Sequence, residues 1–275
     1  LSIAILLALP ILAVVASVLQ PAGDTWRHLA ATVLARYVGN TALLLVLVAA
    51  GVVSIGVVSA WLVANYRFPG ARVLEWALML PLAMPAYVIA YAYTDWLQFA
   101  GPVQTGLRAL TGWRAREYWF PEIRSLWGAA VVLALALYPY VYLIARTGFR
   151  DQSRHAIEAS RLAGHTAWRS FWRVALPLAR PALVAGTALA LMETLADFGT
   201  VSYFGVQTFT TGIFRAWFSL GDHTAAAQLS AALLGFVFLV LLIERSTRAR
   251  AGFHNSSHRK QLRHVYQLQG VWAPL

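Results

Sequence analysis

The chain has 275 residues, of which 59% are hydrophobic and 12% are charged, and its formal net charge is +11. So large an apolar fraction with so few charges excludes an ordinary soluble domain. The absence of cysteine excludes disulfides and thiolate metal sites. We predict an all-α, polytopic membrane protein, because a spanning helix needs roughly 20 mostly apolar residues and six windows qualify. In chain order the predicted spans are Ser2–Leu19, Thr41–Val63, Val73–Trp96, Leu126–Ala145, Ala182–Phe198 and Thr224–Ile243.

Two connections between the predicted spans have features of their own. From Asp24 to Tyr37, apolar and aromatic residues recur at helical spacing, which predicts a short helix lying in the membrane interface. From Phe99 to Arg124, glycine and proline interrupt an aromatic-rich stretch, which predicts a loop with its rings at headgroup depth. Docking of a periplasmic partner is the alternative for this loop.

The basic residues are divided unequally between the two sides of the membrane. Alternate connections carry fifteen Arg and Lys residues on one side and seven on the other. Because basic residues near helix ends stay in the cytoplasm, both termini and the connection before the fifth span are predicted to be cytoplasmic. The net positive charge also favours contact with anionic membrane lipid. Nucleic acid is not a predicted partner, since no basic stretch is joined to a recognisable nucleic-acid fold.

The connection before the fifth span predicts a helix–turn–helix. A short helix is expected from Ser153 to Ala163, where Glu158 lies at ion-pair spacing from arginines on both sides. Gly164 suits the left-handed position at which a helix ends. The following run from Trp168 to Leu176 is amphipathic, and Pro177 is expected to stop it or kink it into the next span.

This connection also resembles a known motif. Its sequence is E-A-S at 158–160, three residues, Gly164, nine residues, and V-A-L-P at 174–177. The spacing is similar to the EAA loop, EAA-x3-G-x9-I-x-LP, of inner-membrane permeases of binding-protein-dependent ABC importers. Ser160 and Val174 are mild departures from that consensus. The plain alternative is a basic, membrane-hugging loop with a solvated glutamate.

The resemblance implies a type I ABC importer permease in the bacterial inner membrane. By it, the ATPase-coupling residues would be Glu158, Ala159, Ser160, Gly164, Leu176 and Pro177. The implied partners are an ABC ATPase subunit dimer, a periplasmic substrate-binding protein and a second permease half. No catalytic residue and no cofactor are expected in this chain, because ATP would be bound by the partner subunit. The sequence agrees with this expectation, since it has no G-x-x-x-x-G-K-[ST] loop and its single lysine, Lys260, precedes Gln261.

A second stretch narrows the resemblance. Residues 191–205, LMETLADFGTVSYFG, and 208–217, TFTTGIFRAW, look like the corresponding region of ferric-iron importer permeases. Polyamine, sulfate and thiamine permeases share the EAA loop and are the alternatives for the substrate. An ion-coupled secondary transporter and a membrane scaffold are alternatives of other classes, and the secondary transporter leaves the EAA spacing unexplained.

Two carboxylates in the fifth predicted span need an explanation, because charges inside a membrane are costly. Glu193 and Asp197 are four residues apart and are expected to share a helix face. They either line a translocation path or form a structural pair hydrogen-bonded to neighbouring groups. Tyr138, beside Pro139 in the fourth span, is a further candidate for the path, with kinked packing as its alternative. No metal site is predicted.

Two domains are expected. Residues 1–244 form the six-helix permease domain, and residues 245–275 form a basic cytoplasmic tail. That tail resembles the linker between the two halves of ferric-iron permeases, which implies that this chain is an N-terminal half. Weak metal binding by the tail histidines is the alternative.

Overall fold

The computed structural model describes residues 2–20, 23–114, 117–151, 154–250 and 266–267. The described part is almost entirely helical, as the composition predicts. Its α-helices are α1 (Ser2–Ala16), α2 (Asp24–Thr32), α3 (Leu34–Asn65), α4 (Ala71–Ala77), α5 (Ala86–Leu97), α6 (Pro102–Thr111), α7 (Leu126–Asp151), α8 (Arg154–Leu162), α9 (Ala167–Ser170), α10 (Leu176–Ala196), α11 (Gly199–Tyr203), α12 (Phe209–Phe214) and α13 (His223–Arg250). The shorter elements are 3-10 turns at Ser17–Leu19 and Leu80–Ala83, π turns at Phe171–Ala175 and Arg215–Ser219, and a parallel pair of two-residue strands, β1 (Tyr66–Arg67) and β2 (Tyr266–Gln267).

Four helical runs in the described residues are long and apolar enough to cross a membrane. They are Leu34–Asn65, Leu126–Arg150, Ala167–Ala196 and His223–Thr247. These runs cover the second, fourth and sixth predicted windows and extend beyond them, and they cover the fifth window except for its last two residues. The first window is helical from Ser2 to Leu19. The part of it whose side chains the structure describes, Ala8–Leu19, forms a shorter apolar helix. The structure is therefore compatible with six spans, with four continuous ones in the described residues.

The third predicted window is interrupted rather than continuous. The run Ala71–Ala83 is followed after a break by Ala86–Thr111, and the two make a fifth apolar span only if the broken pair is counted as one. Met84 has extended backbone angles, φ −120° and ψ 135°. Proline at position 85 explains this break, because the residue before a proline is forced out of the helical region and the proline itself donates no backbone hydrogen bond.

The connections between spans partly follow the prediction. The helix predicted between Asp24 and Tyr37 is present as α2, and α3 follows it from Leu34, while its place in the membrane interface stays a prediction. The stretch from Phe99 to Arg124 was expected to be a loop, but it contains α6. Pro102 begins that helix, and Gly112, with φ +71°, ends it in the left-handed conformation. The Arg108 guanidinium donates to Tyr118 Oη at 2.8 Å and so fastens the helix to the chain that follows it.

The chain divides into two compact units, each drawn from three separate stretches. Unit 1 comprises residues 1–48, 86–133 and 192–240, and unit 2 comprises residues 49–85, 134–191 and 241–275. Unit 1 has an apolar core in which α2, α3, α12 and α13 meet. Its buried members are Leu29, Tyr37, Phe209, Ala216, Ala225, Ala226 and Leu229.

Unit 2 is held together by close helix approaches at small residues. A Cβ atom added to Gly56 of α3 would lie 2.7 Å from Val141 Cβ of α7. One added to Gly186 of α10 would lie 2.8 Å from Val141 Cα. Because only glycine permits these distances, α3, α7 and α10 pack at van der Waals contact around Val141, which is how membrane helices associate without a hydrophobic drive.

The predicted boundary between domain and tail falls inside α13. That helix continues from His223 to Arg250, past position 244. Most of the predicted tail, including its histidines, lies outside the described residues.

Candidate coupling site

The connection before the fifth span is a helix–turn–helix, as predicted. Its first helix, α8, ends in a turn at Gly164, whose φ is +85°. The His165 N–H donates to the Ser160 carbonyl at 3.2 Å and the Gly164 N–H donates to the Arg161 carbonyl at 3.0 Å. These two bonds form a Schellman motif, which fixes the direction in which the chain leaves α8. A side chain at position 164 would strain this turn, since L-residues disfavour positive φ.

The second helix starts at a capped end and runs into the membrane. The Thr166 hydroxyl accepts from the Arg169 N–H at 3.3 Å and so caps α9. The π turn then joins α9 to α10, and the whole helical run reaches Ala196. Pro177 does not stop the helix, although it lacks the N–H that an α-helix needs. The π turn immediately before it changes the hydrogen-bond pairing, so that a residue without an N–H fits into a continuous helix.

One side of the helix–turn–helix is exposed and mixes a carboxylate with apolar groups. Glu158 and Ala159 are exposed on α8. Leu162 and Trp168 are 89% and 70% exposed, and Trp172 is also exposed. We call these five residues the coupling face. Large apolar side chains exposed on both helices are typical of a surface that contacts another protein or the membrane.

Ser160 points inward, unlike its two neighbours in the motif. It is buried, and its hydroxyl lies 3.0 Å from His165 Nδ1 and 2.9 Å from Ser170 Oγ. The hydroxyl thereby connects α8 to the turn and to α9. A consensus alanine would make neither bond, so this departure from the motif adds a tie between the two helices that sequence reasoning did not anticipate.

An aromatic cluster anchors the helix–turn–helix to the rest of unit 2. The buried Phe171 ring lies 4.9 Å from the Trp61 ring of α3 and 6.4 Å from the Phe149 ring of α7. Trp61 and Phe149 are themselves in edge contact at 5.2 Å. Such ring pairs stabilise beyond their burial. Leu176 and Pro177, the last residues of the motif, are half-buried beside this cluster in the chain. The anchor links the motif directly to two membrane-spanning helices.

The two carboxylates of the fifth span have different surroundings. Glu193 lies on α10 and is exposed. Asp197 lies just after the end of α10, where its carboxylate accepts from the Thr200 hydroxyl at 3.0 Å and from the Val201 N–H at 3.1 Å. Asp197 therefore satisfies the first turn of α11, a role that acidic residues fill well. The Thr210 hydroxyl also donates to the Asp197 carbonyl at 2.9 Å.

Tyr138 is buried on α7 within unit 2. A Cβ atom added to Gly56 would lie 3.1 Å from the Tyr138 carbonyl, so its backbone is part of the close α3–α7 contact. Among the described residues, no three His, Cys, Asp or Glu side chains are grouped so that they could hold a metal ion.

An ion-pair cluster in unit 2 escaped the sequence reasoning. Glu75 Oε1 lies 2.9 Å from Arg146 Nη1 and 3.0 Å from Arg150 Nη2, and the Tyr142 hydroxyl donates to the Glu75 carbonyl at 3.0 Å. The cluster joins α4 to α7. One clue was available, because Glu75 is the only acidic residue between Asp24 and Asp95 and a carboxylate in an apolar window requires a partner.

Four membrane-length helices in the described residues define the class of polytopic membrane proteins. Residues 52–249 match the family described as the binding-protein-dependent transport system inner membrane component. The chain belongs to this family, whose members are transport components of the inner membrane.

Several relatives of known function resemble the chain to a similar degree. It is 29% identical to the Fe(3+)-transport system permease protein FbpB 2 of Haemophilus influenzae over 81% of this chain and 40% of that protein. It is 29% identical to the molybdenum transport system permease protein ModB of Escherichia coli over 72% of this chain and 87% of that protein. The sulfate transport system permease protein CysT of Escherichia coli is 28% identical over 72% of this chain and 70% of that protein. The chain thus spans less than half of the ferric relative.

Solved structures of ABC transporters share the fold. A bacterial alginate ABC transporter in complex with an alginate-pentasaccharide-bound periplasmic protein matches with a TM-score of 0.71 at 14% identity, over 90% of this chain and 92% of that one. An inward-facing MetNI methionine ABC transporter matches with a TM-score of 0.61 at 18% identity, over 79% of this chain and 95% of that one. The type I ABC permease fold predicted from the sequence is confirmed.

Proposed function

We propose that the chain is the transmembrane subunit of an ATP-driven importer that moves ferric iron from a periplasmic binding protein into the cytoplasm. The observation that carries the coupling part of this proposal is the coupling face, an exposed acidic and aromatic surface on a rigid helix–turn–helix. That surface is fastened through Phe171 to two spanning helices.

The coupling face is proposed to bind a groove of a separate ATPase subunit, which works as a dimer and binds the ATP. Glu158 offers a carboxylate to a basic group in that groove, while Leu162 and Trp168 offer apolar contacts. Ala159 keeps α8 narrow enough to enter the groove. Gly164 and the buried Ser160 hold the two helices in one geometry, so that motion of the ATPase moves α10 and not merely the loop.

Glu193 is proposed to line the translocation path, and Tyr138 is a separate candidate for it. Glu193 is a charged, exposed side chain on a spanning helix, and such a residue is stable in a membrane when it faces a water-filled route. Asp197 lies four residues further along the chain, but two donors already occupy its carboxylate. We assign Asp197 to capping α11 and Glu193 to the route.

Ferric iron is proposed as the solute because residues 191–217 resemble ferric-iron permeases and the ferric relative aligns with 81% of this chain. An oxyanion such as molybdate or sulfate is the second candidate, because ModB and CysT are equally similar within one percentage point of identity. Polyamine and thiamine are further candidates, as solutes carried by the same class of permease. An ion-coupled secondary transporter has no use for the coupling face.

The remaining partners follow from the same proposal. A second permease half completes the route, supplied by a longer chain or a partner chain. The ferric relative is more than twice as long as the aligned segment, which supports the first of these. The excess of basic residues on alternate connections supports a cytoplasmic position for both termini and for the coupling face.

The test is ATP hydrolysis by the intact permease reconstituted with its ATPase subunit in the presence of binding proteins. Stimulation by ferric-loaded but not iron-free binding protein is the expected result. Stimulation only by a molybdate- or sulfate-loaded binding protein would replace the solute and keep the coupling. Solute uptake that continues without any ATPase subunit would overturn the proposal in favour of secondary transport.

A further inference from the structure

The surface around α4 combines exposed apolar side chains with arginines. Val73 and Trp76 are 73% and 72% exposed, and Arg72 beside them is exposed as well. The same helix contributes Glu75 to the ion-pair cluster with α7. Tryptophan next to arginine at the end of a spanning helix is typical of the headgroup region of a membrane. We call Arg72, Val73, Trp76, Arg146 and Arg150 the α4 surface.

The ion-pair cluster of Glu75, Arg146 and Arg150 does not balance its charges. One carboxylate oxygen of Glu75 serves both Arg146 and Arg150, which leaves one positive charge in excess. No other acidic residue lies between positions 25 and 94, whereas Arg67 and Arg72 add two more positive charges near α4 in the chain. Among the described ion pairs, the cluster therefore has two guanidinium groups for one carboxylate and a net positive charge.

Both arginines also retain unused hydrogen-bonding capacity. The Nε atoms of Arg146 and Arg150 are buried and have no hydrogen-bond partner. The Arg146 side chain as a whole is only 16% exposed. A guanidinium group has five N–H donors in a planar fork, and a buried donor without an acceptor is costly. A small rotation of either side chain toward an incoming oxyanion would therefore gain bonds that Glu75 alone does not supply.

We propose that the α4 surface binds the phosphodiester headgroup of an anionic phospholipid. Arginine forks match the oxygen geometry of phosphate better than any other side chain, and the excess positive charge complements its single negative charge. Free inorganic phosphate shares this chemistry. Val73 and Trp76, which are exposed on the helix that carries Glu75, favour the lipid, because exposed apolar side chains suit a ligand that carries acyl chains.

The test uses the full chain in nanodiscs of phosphatidylcholine with and without phosphatidylglycerol, and counts retained lipid by native mass spectrometry. We expect phosphatidylglycerol to be retained in preference. The single variants Arg146→Gln and Arg150→Gln should each lower that preference about fivefold. The double variant Arg180→Gln and Arg245→Gln, which removes two exposed arginines elsewhere in unit 2, should leave it unchanged.

When Arg146→Gln and Arg150→Gln are combined, Glu75 loses both ion-pair partners. The triple variant, which also carries Glu75→Gln, is therefore made in parallel and should show the same loss of lipid preference without misfolding. Trp76→Ala should weaken lipid retention and leave any binding of inorganic phosphate unaffected. Equal retention of both lipids would overturn the proposal. So would displacement of the lipid by millimolar inorganic phosphate. Lipid preference that survives the triple variant, together with lost binding of the ATPase subunit, would reassign the surface to a protein partner.

Discussion

Two segments of the chain resemble known permeases, the helix–turn–helix at 154–177 and the segment at 193–215. Each contains a carboxylate, Glu158 in the first and Asp197 in the second, and the surroundings of these two side chains differ. Glu158 is exposed on a helix whose end is fixed by a Schellman motif. Asp197 is half-buried, and its two oxygens accept from Thr200 and Val201. The first carboxylate is free to meet a partner because the backbone around it satisfies itself. The second is committed to building the backbone that follows it.

The two segments teach that a motif's residues do not all perform the same task. Within the helix–turn–helix, Glu158 and Ala159 are exposed, while Ser160, the next residue, is buried and hydrogen-bonded to His165 and Ser170. Within the later segment, the threonines act locally, as in the capping box of Thr208 and Thr211 on α12. Variants that separate outward-facing from inward-facing members of each segment therefore test the comparison directly.

The largest effect is expected at Gly164. Gly164→Pro cannot adopt φ +85° and cannot donate the N–H that closes the turn, so uptake per ATP hydrolysed should be abolished. Gly164→Ala should cost about 1–2 kcal/mol of local strain and lower coupling severalfold. Gly112 is the matched control, because it also has positive φ and open space around it. Coupling that falls equally in Gly112→Ala and Gly164→Ala would show general destabilisation instead of a coupling defect.

The next effect is expected at Glu158. Glu158→Ala removes the charged acceptor of the coupling face, and uptake per ATP should fall about tenfold, the effect of losing one hydrogen bond to a charged group. Thermal stability should stay within about 0.5 kcal/mol because the side chain is exposed. Glu158→Gln, which keeps an oxygen acceptor but removes the charge, is the matched comparison and should retain part of the coupling. An unchanged ratio of uptake to hydrolysis in Glu158→Ala would remove this residue from the coupling face.

A smaller effect separates the two carboxylates of the later segment. Glu193→Gln should lower the maximal uptake rate severalfold without changing the melting temperature, because it removes a charge from the proposed route. Asp197→Asn should transport normally, since the amide oxygen still accepts a bond at the start of α11. Uptake and melting curves of the two proteins are compared side by side. The opposite pattern, a transport defect in Asp197→Asn alone, would exchange the two assignments.

The smallest effect is expected at Ser160. Ser160→Ala restores the family consensus but removes the hydroxyl that bonds to His165 and Ser170. The loss of a net hydrogen bond predicts destabilisation by about 1 kcal/mol. We expect uptake per ATP to fall about twofold through looser positioning of α8, with a normal rate of hydrolysis. Ser160→Thr, which retains a hydroxyl, should recover part of the loss. Full coupling in Ser160→Ala would show that the connection is dispensable.

The sequence predicted those parts of the molecule that depend on local chemistry. Helix length and apolarity gave four of the spans, and the left-handed requirement at Gly164 gave the turn. The break at Met84 was less accessible, because Pro81 and Pro85 both permit a kinked but continuous helix and the sequence does not choose between them. The prolines predicted bending at this place but not the separation into two helical pieces.

Contacts between distant stretches were beyond the sequence. Glu75 meets Arg146 and Arg150 across about seventy residues of chain, and many arginines were available as its partners. Ser160 likewise needed the fold of the turn before its hydroxyl could be placed against Ser170. A pattern that repeats along one helix predicts a face, but it does not identify what that face meets when several partners have the same chemistry.

The π turn at Phe171–Ala175 affects the direction in which the coupling face points around the axis of α10. Hydrogen bonds in such a turn skip one residue more than in an α-helix, so the turn contains one residue beyond the regular count. Each residue of an α-helix advances the direction of its side chains by about 100°. Deleting one residue here would let the helix become regular through Pro177 and would leave the segments on either side of the turn at nearly their present angles. Deleting one residue from the regular part of α10 would instead rotate α8 and α9 by about 100° around the axis of α10. The permease would keep every residue of the motif and present the wrong side of it to its partner.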